Sequence, residues 1–174
     1  MWIRAGVVND KGRILGKDRK PNPPNGTKGE YLGNAQDLLA ETIRQAGGSV
    51  AGIGAAVAGP VEPTTGTFFQ PPNLMVLDGV SFKDLWENAF NVPVWVGNDG
   101  NLAALGEHYF GAGKESADNG RPIKTLFYVT VSTGVGGGLV AKGAVFLGDN
   151  GLTGGTGNTL GDKHARAIER LALK

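Results

Sequence analysis

Residues 93–107 read PVWVGNDGNLAALGE, and no other stretch restricts the fold as tightly. Val92, Val94, Trp95 and Val96 form a short, near-continuous apolar run, the pattern of a strand buried on both faces of a parallel sheet. Gly97-Asn98-Asp99-Gly100-Asn101 follows, every residue polar or lacking a side chain. Leu102, Ala103, Leu105, Gly106, Tyr109 and Phe110 then recur at helical spacing. The segment reads strand, tight polar turn, helix. In open α/β sheets ligands gather beyond the carboxyl ends of strands. Asp99 stands at that edge, close to a helix N-terminus whose dipole favours a carboxylate. A lone Asp or Asn before a helix is ordinarily a cap and nothing more. Three polar side chains in four positions exceed what one cap requires, so Asp99 is a candidate functional carboxylate.

Composition narrows the class. With 174 residues and 40% hydrophobic content the chain can build one good core or two small ones. A net charge of +1 gives no general reason to expect nucleic acid or an anionic membrane as partner. Cysteine is absent, which excludes disulfides and thiolate metal sites. No apolar run approaches the ~20 residues of a membrane span, and Met1-Trp2-Ile3-Arg4 is not a secretory leader, so a cytoplasmic protein is expected.

Along the chain, Trp2–Val8 and Arg13-Ile14-Leu15 flank the polar Asn9-Asp10-Lys11-Gly12 and predict a hairpin. Lys17–Lys28 is polar and proline-rich, a loop. Gly29–Ala46 carries Leu32, Leu38, Leu39, Ile43 and Ala46 on one helical face and closes at Gly47-Gly48. Val50–Val57 is a small-residue strand of the kind that lets another element approach its backbone. Thr67-Phe68-Phe69 is a short extended piece, Pro71-Pro72-Asn73-Leu74 a stiff loop, and Ser81 with Asp84 opens a helix through Leu85, Trp86 and Phe90. Ala112–Pro122 is polar and reads as a flexible hinge between two lobes. Lys124–Val131 is a strand, and Leu139–Phe146 a hairpin turning at Lys142-Gly143. Apolar content collapses from Gly148 to Gly161, and Asp162 heads a last helix with Ala165, Ile168 and Leu171.

Two of these features bear on chemistry. Thr133-Gly134-Val135-Gly136-Gly137-Gly138 joins two extended segments. A hydroxyl with successive glycine N–H groups can wrap a phosphate, since no Cβ blocks the backbone. A plain hairpin turn needs one or two glycines, and four in five positions favour a phosphate loop. A carboxylate at Asp99, a phosphate loop and a hinge between them suit phosphoryl transfer, in which a base orients a hydroxyl and positioning does the rest. His108 and His164 lack partners at metal spacing and read as surface or satisfied residues.

Several motifs together resemble one family. Gly52-Ile53-Gly54 with Ala58-Gly59-Pro60-Val61, Pro71-Pro72-Asn73-Leu74, Pro93-Val94 through Asn98-Asp99-Gly100-Asn101 to Ala104-Leu105-Gly106-Glu107, and the Thr133 glycine turn match the ROK group of repressors and sugar kinases in order and spacing, from about Trp2 to Gly151. Glucokinase-like and N-acylmannosamine-kinase-like members are the nearest. The resemblance implies an α/β, actin-like and ribonuclease-H-like two-lobe sugar kinase, here an N-terminal lobe over residues 1–118 and the start of a C-terminal lobe over 119–174. It implies ATP and Mg²⁺ between the lobes and a hexose or amino-sugar substrate. By position, Asp99 would be the general base on the sugar hydroxyl. Asn98, Asn73 and the backbone near Gly59 would hold the sugar, and Thr133, Gly134, Gly136 and Gly137 the nucleotide phosphates. A homodimer is compatible with the family; nucleic acid and membrane are not expected partners.

Three departures accompany the match. The family opens with a strand and an Asp-x-Gly-Gly-Thr turn, whereas this sequence starts at Met1-Trp2-Ile3-Arg4. The family's Gly-Glu-x-Gly-His appears as Gly154-Gly155-Thr156-Gly157-Asn158, with glycine for the sugar-binding Glu and asparagine for the His. The cysteine-rich zinc loop and the C-terminal helices of the adenine pocket have no counterpart, so no structural zinc is expected. The expectation is a kinase relative shortened at both ends, lacking its first strand and weakly active or inactive. A non-catalytic sugar-sensing or regulatory module is the alternative.

Overall fold

The computed structural model describes residues 2–131 and 135–148. Ser132, Thr133 and Gly134, the Gly154–Asn158 segment and the helix expected after Asp162 lie outside the described residues. The chain packs as two compact units. One is formed by Met1–Ile53 and Asp84–Val94, the other by Gly54–Lys83 and the residues from Trp95 onward.

In the first unit β1 (Trp2–Val8) pairs antiparallel with β2 (Ile14–Pro21). Asn9 stiffens the turn, its Oδ1 accepting the N–H groups of Lys11 (3.1 Å) and Arg13 (2.9 Å). The loop expected from Lys17 onward is strand as far as Pro21. Its charged residues show no apolar alternation, but the ladder with Trp2–Gly6 is made by backbone groups and needs none. Thr27 caps α1 (Lys28–Gln45) in a reciprocal box: the Glu30 N–H donates to Thr27 Oγ1, and Glu30 Oε2 accepts the Thr27 N–H at 2.7 Å. Such a cap is worth about 1 kcal/mol. Leu38, Thr42 and Ile43 are buried where α1 crosses the hairpin. Gly16 admits the close approach, since a Cβ there would lie 3.4 Å from that of Ala46. Burying Val7, Leu38 and Ile43 contributes about 1.5–3 kcal/mol each.

The strands β3 (Ile53–Val57) and β6 (Val94–Asn98) are hydrogen-bonded neighbours, and the Ile53 N–H reaches the Pro93 carbonyl at 2.9 Å. The apolar run in β6 is buried on one face, not two. Val94 and Val96 are buried, but Trp95 between them is 65% exposed. The pair has a single covered side, built from Ile53, Ala55, Val94 and Val96. Gly54 and Ala56, alternating with the buried residues of β3, are exposed, and a Cβ added to Gly54 would meet nothing within 4 Å.

In the second unit β4 (Val61–Glu62) pairs antiparallel with β5 (Thr67–Phe68). Phe68, 2% exposed, meets Phe82 edge-on with ring centroids 5.2 Å apart. A short 3-10 turn at Met75–Leu77 precedes α2 (Phe82–Phe90), which starts in this unit and belongs to the first from Asp84 onward. The helix α3 (Asp99–Tyr109) packs on a three-stranded antiparallel sheet of order β7-β8-β9, with β7 at Thr125–Val131, β8 at Val135–Ala141 and β9 at Ala144–Val145. The β8–β9 hairpin turns at Lys142-Gly143, both at positive φ (52° and 80°), as a two-residue turn matching strand twist requires. The polar segment expected as a hinge contains α4 (Ala112–Asp118). Gly113 is buried against the end of α3, and the Ser116 hydroxyl and carbonyl pair with the Arg121 backbone to close the following turn. Ala, Lys, Glu and Ser are all compatible with helix, and polarity alone did not make this stretch irregular. Among the described residues no helix is long and apolar enough to cross a membrane.

Candidate active site

The strand-to-helix turn separates two roles that the sequence left merged. Asn98 is the cap of α3: its Oδ1 accepts the N–H groups of Gly100 (2.9 Å) and Asn101 (3.3 Å). Its Nδ2 donates to the Gly59 carbonyl at 3.2 Å, tying the turn to the end of the β3 loop. With the cap supplied by Asn98, the next carboxylate is spared for other work. Asp99 is exposed, with Oδ1 accepting the Gly100 N–H at 2.9 Å and Oδ2 without a partner among the described residues.

Gly59 sits at φ 145°, a conformation that side chains rarely adopt, and a Cβ there would come within 3.0 Å of Pro71. Backbone strain and close packing both demand glycine. Pro71 is buried and starts the turn closed by the Leu74 N–H on the Pro71 carbonyl (3.0 Å). Just before it Gln70 adopts φ 42°, held by its N–H on Asp78 Oδ1 at 2.7 Å. Asn73 lies in this braced loop, exposed, and its side chain makes no hydrogen bond among the described residues. The structure thus joins Asn98 to Gly59 directly, places Asp99 beside them, and packs the loop carrying Asn73 behind Gly59.

The glycine run has a different local explanation from a phosphate wrap. Gly136 and Gly137 lie in β8, opposite Thr130 and Val129. A Cβ on Gly100 would stand 2.7 Å from the Gly137 carbonyl oxygen, and one on Gly138 would stand 2.8 Å from Asn101 Cα and from the Gly100 carbonyl oxygen. Glycines meet glycine here so that the first turn of α3 can lie directly on β8. Thr133 and Gly134, the other two phosphate candidates, lie outside the described residues.

Asn101 went unassigned in the sequence reading. It is 4% exposed, and its Oδ1 is a buried acceptor with no partner among the described residues, facing the position a Gly138 Cβ would fill. Its spacing of three from Asn98 was the available signal, since residues three apart share a helix face. His108 is half-buried, with Nδ1 unpartnered among the described residues and its ring edge-on to Tyr109 (4.9 Å), whose hydroxyl donates to the Gly143 carbonyl. Glu62 accepts the N–H groups of Thr64 (3.0 Å) and Thr65 (2.6 Å). The Thr65 side-chain hydrogen bond, followed by these backbone bonds, lowers its pKa to about 2. No group of three or more His, Asp or Glu side chains that could hold a metal occurs among the described residues.

Known proteins resemble this chain in sequence and fold. A glucokinase of Halalkalibacterium halodurans is 31% identical over 159 residues, 90% of this chain and 46% of the relative. A xylose repressor of Caldicellulosiruptor bescii is 32% identical over 126 residues, 71% of this chain and 30% of the repressor. The crystal structure of a ROK family glucokinase from Streptomyces griseus in complex with glucose and AMPPNP superposes with a TM-score of 0.71 at 31% identity, covering 90% of this chain and 46% of that one. The chain spans about half the length of the kinase relatives it matches, and its fold is the corresponding part of the actin-like sugar-kinase fold. The ROK family model matches residues 2–167: the chain belongs to the ROK family.

Proposed function

We propose that this chain is the matching part of an ATP-dependent hexose kinase of the glucokinase type, and that its 174 residues by themselves turn over weakly or not at all. In this reading Asp99 takes the proton of a sugar hydroxyl as that oxygen attacks phosphorus, while Asn98, Asn73 and the backbone near Gly59 hold the sugar. The observation that carries it is the division of labour at the turn: Asn98 caps α3 and anchors Gly59, leaving the Asp99 carboxylate exposed with one oxygen uncommitted. A base that only orients and accepts late suits a loose transition state.

The described residues fit the sugar side of this reading better than the nucleotide side. Gly136 and Gly137 lie in the β7–β8 ladder, and Gly137 lies against Gly100 at the start of α3. The phosphate role of Thr133, Gly134, Gly136 and Gly137 therefore rests on the resemblance alone, and no step is derived through ATP. Mg²⁺ usually binds through one or two carboxylates plus substrate phosphates. The described residues carry no group of three or more ligands that would hold a metal by themselves, so Mg²⁺ would be held only together with the phosphates of a bound nucleotide. A lobe division near residue 118, a cytoplasmic location and a homodimer belong to the same proposal.

The test is an ATP-coupled assay with glucose and N-acetylmannosamine, run on this chain and on a version extended to the length of its kinase relatives. Turnover is expected only in the extended version, and Asp99→Asn should abolish it. Robust turnover by the 174-residue chain would overturn the inactivity; turnover surviving Asp99→Asn would remove Asp99 as base. A sugar-sensing regulatory module is the second reading, favoured by the identity to a xylose repressor. Calorimetric sugar binding with no turnover in the extended version would select it.

A further inference from the structure

The net charge of +1 conceals a strong asymmetry. Residues 1–28 hold seven Lys and Arg against two Asp, a net of +5, which leaves the remainder at −4. The register of the β1–β2 hairpin sorts these charges by face. Trp2 lies opposite Pro21, Arg4 opposite Arg19, and Gly6 opposite Lys17, and all six are exposed on the side away from α1. Asp18, the only carboxylate within either strand, pairs with Ala5 on the other face. The guanidinium of Arg19 stands 4.7 Å from the centroid of the Trp2 ring. Among the described residues none of Arg4, Lys17 and Arg19 has a carboxylate partner; the ion pairs there are Arg44–Glu41 and Lys114–Asp118.

Two arginines directly opposite one another, with a lysine two residues along, repel each other and cost stability unless an anion intervenes. The floor between them is open: a Cβ on Gly6 would find its nearest neighbour, the Gly16 carbonyl oxygen, at an ordinary 3.7 Å. Three cations, a half-exposed indole and a flat backbone floor form a surface for a chain with one negative charge per repeat and planar groups between charges. We propose that the exposed face of the β1–β2 hairpin binds single-stranded nucleic acid, its phosphates at Arg4, Lys17 and Arg19 and a base stacked beside Trp2. An acidic polypeptide would satisfy the cations but offers nothing planar to Trp2. A lipid surface would call for apolar side chains around the cations, and Gly6 and Pro21 supply little.

The test is a fluorescence-anisotropy titration of a labelled oligodeoxythymidine with the 174-residue chain at increasing KCl. Three phosphate contacts on a single strand predict a log–log salt slope of about −2, so tenfold more salt weakens binding roughly a hundredfold. Arg4→Glu or Arg19→Glu should each weaken binding at least ~10-fold and flatten the slope by about one. Trp2→Ala should weaken it with the slope unchanged. Gly6→Val suits a strand and meets no clash, so it should leave Tm unharmed while blocking the floor and reducing binding. Lys114→Glu, elsewhere on the surface, should change nothing. No binding at low salt, or binding indifferent to Arg4→Glu and Arg19→Glu, would overturn the proposal. Equal competition by polyglutamate, or tighter binding to phosphatidylserine vesicles, would reassign the face to an acidic protein or a membrane and overturn it likewise.

Discussion

Replacing Gly138 by alanine tests why the described part of the glycine-rich stretch, Gly136 to Gly138, is glycine. Gly138 does not occupy the positive-φ region, so backbone strain does not enter and the effect is contact alone. The new methyl would fall 2.8 Å from Asn101 Cα, 2.8 Å from the Gly100 carbonyl oxygen and 2.9 Å from Asn101 Oδ1. Each distance is roughly half an ångström short of ordinary contact. Two of the three atoms are backbone of the first turn of α3 and cannot swing aside. Overpacking of this kind costs about 1–3 kcal/mol. Taking about 2 kcal/mol, Tm should fall by about 4–8 °C for a chain of this size. The control is Gly106→Ala in the middle of the same helix, where nothing lies within 4 Å of the added carbon. There alanine should stabilise by about 0.5–1 kcal/mol, through helix propensity and a less flexible unfolded chain. Urea denaturation with paired thermal melts reads both. Opposite signs are required. A neutral Gly138→Ala would show that α3 does not lie directly on β8 and would return the glycine run to an open phosphate loop.

Three further outcomes are expected. Asn98→Ala removes the cap and the tie to Gly59, about 1 kcal/mol each. Asn98→Asp keeps the acceptor and loses only the donor, so urea midpoints should rank wild type, Asp, then Ala. The pKa of Glu62 is lowered from 4.5 to about 2 in the folded chain by the Thr65 side chain and by the Thr64 and Thr65 N–H groups. A depressed folded pKa gives stability that is present above the unfolded value and lost as pH falls through the folded one. The Tm gap between wild type and Glu62→Gln should therefore be full at pH 7 and close between about pH 4.5 and pH 2, modestly because Glu62 is exposed. Finally, the protein purified without chelator should carry no stoichiometric zinc by elemental mass spectrometry, as it has no cysteine.

The elements that the sequence made legible are those whose cause is local. The β6–α3 turn follows from an apolar run ending in Asn98, and the β8–β9 hairpin from a Lys-Gly pair able to take positive φ. The helix α1 is recognisable from its apolar face, and the Thr27–Glu30 box places its start one residue before Gly29. What misled was polarity. Lys17-Asp18-Arg19-Lys20 reads as loop, yet it is strand because the ladder to Trp2–Gly6 uses backbone groups that composition does not register. Ala112–Asp118 reads as hinge for the same reason, its anchor being the buried Gly113 rather than an apolar stripe. Trp95 misled in the opposite direction. Its bulk implies burial, but exposure in β6 is set by whether something covers that face, a fact absent from the sequence of the strand itself.

The candidate site divides along the same line. Its chemistry is concentrated in four consecutive residues, Asn98 to Asn101, so residue type alone nominated Asp99. Its construction is not concentrated. The residue that frees Asp99 from capping, Asn98, is itself tied to Gly59, thirty-nine residues away, and the contact that seats the helix start joins Gly100 to Gly137. Glycine is ambiguous for a physical reason: a missing Cβ equally serves a ligand phosphate, a turn at positive φ and a neighbouring backbone. Only the partner decides among them. For Gly59 the partners are strain and Pro71, for Gly137 and Gly138 the first turn of α3, and for Gly6 only the Gly16 carbonyl oxygen at an ordinary 3.7 Å, on the exposed face that carries Arg4 and Arg19. A glycine with room above it, on a face whose cations have no carboxylate partner among the described residues, is therefore the more informative kind. It marks room for something the chain does not itself supply.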